Sequence, residues 1–111
     1  MKNEQMSFQL ILHAGNAKSL AMEAMTAAQK NDFDLSEKKI FEAGEELTIA
    51  HKSQYDLLAK YSGGERIDAD ILMVHAQDHV SGAALTIEMA KEIVALNKRV
   101  SLIEGGGGNR E

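Results

Sequence analysis

An all-α fold, built as a bundle of three antiparallel helices, is what three observations on this 111-residue sequence predict. Small and apolar residues recur at steps of three and four over three long segments, which is the period of one helix face. Proline is absent, so nothing interrupts long helices. Aromatics make up only 5% and Trp is missing, so the core must come from Ala, Leu, Ile, Val and six Met. That palette suits packed helices better than a β-sandwich. The length fits a single domain, because two independent cores would each fall below the usual domain size.

The first helix is expected between about Asn3 and Lys30, where Met6, Leu10, His13, Ala17, Leu20, Ala24 and Ala28 share a face. Asn31 to Asp34 (NDFD) are turn formers, and Asp34 followed by Glu37 resembles an N-cap with its returning acid. A second face runs through Ile40, Gly44, Leu47, His51, Gln54, Leu58 and Tyr61. In the break SGGERIDAD, Ser62 to Asp70, two glycines can stop the second helix and Asp68 or Asp70 can cap a third. From Ile71 the seam continues through Leu72, Ala76, His79, Ala83, Ile87, Ala90, Val94 and Asn97. Short connections make up-down-up the simplest topology. The domain is therefore expected over residues 1–104, with GGGGNRE, Gly105 to Glu111, as a disordered tail.

The third helix carries more apolar residues than one seam needs. Ile71, Val74, Leu85, Met89 and Leu96 lie away from the seam, and a helix that is apolar nearly all round has to be covered on a second side. Self-association is the expectation that follows.

Charge and composition exclude several function classes. Seventeen acidic residues against twelve basic give a net charge of -5, the opposite of what a nucleic-acid partner requires. Cysteine is absent, which removes disulfides, thiolate chemistry and Cys-ligated zinc. No stretch approaches ~18 apolar residues, and the N-terminal apolar run is too short for a signal peptide. A soluble, cytoplasmic protein without membrane insertion is expected. No G-x-S-x-G occurs, and the tetraglycine at Gly105 lacks the Lys and Ser/Thr of a phosphate-binding loop.

Chemistry points to the histidines. All four, His13, His51, His75 and His79, fall on or beside a predicted seam, and Asn16 and Gln54, each three residues on, could partner His13 and His51. The stretch ILMVHAQDHV, Ile71 to Val80, places His75, Asp78 and His79 on one helical patch. Spacing alone leaves three readings open: a hydrogen-bonded network, a zinc site using His75 and His79, and a histidine that performs chemistry. A metalloprotease is disfavoured, because Ala76 stands where its glutamate would follow the first histidine.

HAGNAKS at His13 to Ser19, NDFD, EAGEEL at Glu42 to Leu47, AHKSQYDLL at Ala50 to Leu58 and MVHAQDH at Met73 to His79 occur in order over about residues 4 to 100. Together they resemble the lactose/cellobiose (N,N'-diacetylchitobiose) class of enzyme IIA, phosphocarriers of the bacterial phosphoenolpyruvate-dependent sugar phosphotransferase system. The resemblance implies a homotrimer of three-helix subunits with phosphotransferase activity. It further implies that His75 accepts a phosphoryl group from HPr at Nε2 and passes it to a cysteine of the IIB component. Gln77, His79, His51 and Gln54 are the supporting residues expected around it. Asp78 is implied to meet its two symmetry mates around a shared divalent cation, Mg2+ or similar. No direct sugar contact is implied, so the imported disaccharide is not named by this chain. A metal-binding or purely structural bundle using His75 and His79 is the alternative.

Overall fold

The computed structural model describes residues 2–64 and 71–105. These form α1 (Lys2–Gln29), α2 (Phe33–Ser62) and α3 (Ile71–Glu104). The expected caps Asp68 and Asp70 and the tail from residue 106 onward lie outside the described residues. Helix direction follows from the pairs that bridge helices. Glu23 near the end of α1 meets Lys39 near the start of α2, and Glu37 near the start of α2 meets Lys98 near the end of α3. Ser7 and Met73, both early in their helices, meet across α1 and α3. The bundle is up-down-up, and it is rod-shaped at 61 × 20 × 16 Å.

Alanine dominates the interior. Ala14, Ala17, Ala21, Ala24 and Ala28 on α1, Ala43 and Ala50 on α2, and Ala76, Ala83 and Ala90 on α3 are all essentially inaccessible. A methyl side chain lets helix axes approach closely, and α1 exploits this on both sides. It packs extensively against α2 and α3, which touch each other far less. Larger residues, Leu10, Leu57, Met73, Val80, Ile87 and Val94, fill the space the alanines leave.

The α2 seam differs from the sequence expectation. Its buried positions are Ser36, Ala43, Ala50 and Leu57, a strict step of seven, whereas Ile40, Gly44, Leu47 and Gln54 are half-buried and His51 is exposed. Large aliphatics had drawn the expected seam one residue too far round the helix, because alanine registers weakly as a core residue. The side chains of Leu58 and Tyr61 lie outside the described residues. The α1 seam follows expectation at Leu10, Ala17, Ala24 and Ala28, but Ser7, Ala14 and Ala21 are buried beside the expected Met6, His13 and Leu20, which are half-buried. The α3 seam follows expectation at Ala76, Ala83, Ile87, Ala90 and Val94, with Met73 and Val80 buried in addition. The second apolar stripe of α3 is exposed on the single chain: Ile71 by 88%, Leu85 by 64% and Met89 by 54%.

The α1–α2 turn explains a second difference. Asn31 adopts φ 63°, the left-handed conformation that ends helices. The amides of Asn31 and Asp32 then donate to the carbonyls of Ala28 and Ala27, both at 3.0 Å, completing a Schellman closure. Asp32, not Asp34, caps α2: its Oδ1 accepts from the Leu35 amide at 3.2 Å. Glu37 is not the returning acid and instead pairs with Lys98. Gly63 and Gly64 (φ 95°) follow α2 as expected.

This assignment gives a direct test by thermal denaturation. Asp32→Ala should lose about 1 kcal/mol of stability through the lost cap. Asp34→Ala, two residues on, exposed and not the cap, should stay within about 0.5 kcal/mol of wild type.

Candidate functional site

The histidine pair stands on the second and third turns of α3. His75 Nε2 and His79 Nε2 are 3.0 Å apart, and the rings meet edge to face with centroids 4.5 Å apart and planes at 86°. His75 is exposed and His79 half-buried, so one ring is offered outward while the other is braced against the bundle. A step of four residues is what brings the two rings together on a helix. Only one proton can lie between the two nitrogens. If His75 Nε2 keeps its lone pair, then His79 Nε2 donates, and the proton of neutral His75 sits on Nδ1.

Gln77 belongs to the other side of the same helix. Its Oε1 accepts from Gln54 Nε2 of α2, and its Nε2 reaches Met73 Sδ at 3.9 Å. Buried Ser7 of α1 donates to the same sulfur at 3.7 Å. The structure therefore divides the expected site. It brings His75 to His79 and Gln54 to Gln77, but these are two clusters, and exposed His51 has no hydrogen bond to either among the described residues. Asp78 is exposed and lies on the stripe of Ile71, Val74, Leu85 and Met89. Among the described residues, no group of three or more His, Asp or Glu side chains could hold a metal. The two-histidine zinc reading thus finds no third ligand within those residues.

Away from this patch, His13 Nδ1 lies 2.8 Å from Glu46 Oε1, and Asn16 Nδ2 donates to the same oxygen at 3.3 Å. Asn16 is therefore not the partner of His13: both residues serve Glu46. The hydrogen bond from His13 holds the Glu46 carboxyl below the ordinary glutamate range, helped by Asn16 and opposed by partial burial. Sequence reasoning missed Glu46. Its own helix shows an acidic EAGEEL run, and nothing in that run reveals that α1 brings two donors to one of its members.

Residues 5–98 match the family model described as the PTS system lactose/cellobiose-specific IIA subunit. The chain belongs to that family. A lichenan-specific phosphotransferase enzyme IIA component of Bacillus subtilis is 45% identical over 98 residues, spanning 88% of this chain and 89% of the relative. A crystal structure of a cellobiose-specific enzyme IIA from Bacillus anthracis superposes with TM-score 0.89 at 36% identity, covering 91% of this chain and 93% of that one. The chitobiose IIA solved in solution in complex with HPr superposes with TM-score 0.81 at 26% identity, covering 91% and 98%. The three-helix architecture is shared by these IIA structures, and among the described residues of this IIA chain no helix is long and apolar enough to cross a membrane.

The Glu46 cluster makes a pH prediction whose sign is set by its lowered pKa. A carboxyl held below its unfolded value contributes stability above the unfolded pKa and loses it as pH falls through the folded one. Wild type should exceed Glu46→Gln in stability near neutral pH, and the gap should close as the solution is acidified below the ordinary glutamate range. Paired denaturant melts across pH measure it.

Proposed function

We propose that this IIA chain is a cytoplasmic phosphocarrier in which His75 Nε2 takes a phosphoryl group from phospho-HPr and delivers it to a cysteine thiolate of the IIB component. The observation that carries the reading is the exposed His75 ring with its Nε2 beside His79. In the first transfer the lone pair on His75 Nε2 forms a P–N bond as the P–N bond on the donor breaks. In the second, the thiolate forms a P–S bond and the electron pair returns to Nε2. The Nδ1 proton stays in place throughout. His79 acts as a donor to the phosphoryl oxygens once its hydrogen bond to the free lone pair is displaced. Such transfer rests on in-line positioning and charge stabilisation more than on covalent assistance, so an outward-facing nitrogen can pass the group between two protein partners. The complex of the chitobiose IIA with HPr supports the donor assignment by similarity. No sugar contact enters this chemistry.

The exposed stripe of α3 supports a homotrimer in which that face is covered by two further copies. Ile71, Val74, Leu85, Met89 and Leu96 are all more than half exposed on the single chain. Asp78 lies within the stripe, so covering it brings carboxylates together in apolar surroundings, a costly arrangement unless a cation pairs them. One hard carboxylate per chain suits Mg2+ or a similar divalent ion, and Asp78 from each of three copies would hold it. The ion would supply charge neutralisation at the interface.

Incubation with labelled phosphoenolpyruvate, enzyme I and HPr should label the chain with an acid-labile, base-stable phosphate, and His75→Ala should abolish the label. Label on His75→Ala would overturn the site assignment. Sedimentation and metal analysis check the assembly: Asp78→Leu should remain trimeric and lose about one cation per three chains, since removing like charges relieves an interface penalty. A monomeric Asp78→Leu would contradict it.

A further inference from the structure

The four-residue chain Ser7, Met73, Gln77 and Gln54 joins all three helices at the end of the bundle that carries His75. Ser7 of α1 donates to Met73 Sδ at 3.7 Å, Gln77 donates to the same sulfur at 3.9 Å, and Gln54 of α2 donates to Gln77. Ser7 and Met73 are buried and both glutamines are half-buried. Polar groups in such positions need partners, and here the partners lie on different helices. The first turn of α3, Ile71 to Val74, carries no acidic residue of its own to answer the helix dipole, and Met73 is the one buried residue of that turn. Gln77 follows His75 by two residues, about 200° round an ideal helix. It therefore grips the backbone that carries His75 while its own side chain points the opposite way.

We infer that Gln54 and Gln77 are positioning residues that lock the first two turns of α3 to the bundle and thereby fix where the His75 ring stands, without touching the phosphoryl group. The inference rests on the phosphocarrier reading for its kinetic consequence only. Small misplacements of a reacting nitrogen are costly in transfer chemistry. The amide pair lets that nitrogen face outward, where partners reach it, on a segment whose rigidity comes from behind. The sequence placed both glutamines around the histidine. The structure puts them behind it.

Three variants test this: Gln54→Met, Gln77→Met and the double replacement, which keep side-chain length and remove the hydrogen bond between the two side-chain amides. Each single variant should lower the saturating rate of label transfer from phospho-HPr by about 10-fold, with the HPr concentration for half-maximal rate within about 2-fold of wild type. Amide hydrogen exchange should rise selectively in residues 71–80. The double variant should be no slower than the slower single one, because the two act through one shared bond. Ser7→Ala, at the far end of the chain, should show the same exchange pattern more weakly. Multiplicative losses in the double variant, unchanged exchange over residues 71–80, or a change confined to the half-maximal HPr concentration would each overturn the inference. The imidazole nitrogen resonances of His75 and His79 report ring placement without any phosphoryl donor. If wild type takes no label, the phosphocarrier reading fails, and displaced resonances in the Met variants still decide the positioning role.

Discussion

Close approach along alanine seams is the constraint on which the rest of the molecule depends. With Ala14, Ala17, Ala21, Ala24 and Ala28 inaccessible on α1, that helix can lie against both neighbours at once. The bundle is thus organised around one central helix instead of three equal pairs. Each methyl buries little area by itself, so stability comes from many short contacts and from the larger residues that fill between them. A bulky residue in these seams would separate the helices and shift every bond that crosses between them.

Those crossing bonds give α3 two working sides and a buried one. Inward, in the core shared with the other helices, lies the seam of Met73, Ala76, Val80, Ala83 and Ile87. Toward α2 lies Gln77 with its amide partner. Outward lie His75 and, beside it on the helix, the apolar stripe with Asp78. A helix has room for all three because successive residues turn by about 100°, so neighbours in sequence can serve different surfaces. MVHAQDH reads as one motif in the chain, yet its members part company in space: the histidines face each other, the glutamine faces another helix, and the aspartate sits on the stripe.

This separation shows how far the sequence could be read. Three helices, their order, part of the α1 seam and most of the α3 seam, the glycine stop after α2 and the second apolar stripe of α3 were legible, because each rests on local periodicity or local backbone chemistry. The pairing of His75 with His79 was also legible, as a step of four on one helix. The α2 seam was not, because alanine and serine give almost no periodic hydrophobic signal beside Ile40, Leu47 and the glycine between them. Asp32 was overlooked as a cap because Asp34 stands two residues on with the same chemistry. Only the left-handed turn at Asn31 decides between them.

What the sequence determined by itself is therefore what neighbours along a chain can determine: helix content, helix limits, and which residues of one helix share a face. The tertiary structure alone decided the contacts between residues far apart in sequence, such as Glu46 with His13 and Asn16, or Gln54 with Gln77. The physical reason is that rotation of a helix about its own axis costs nothing locally. It is set only when side chains of two helices interlock, and until then no residue on α2 has a defined partner on α1 or α3.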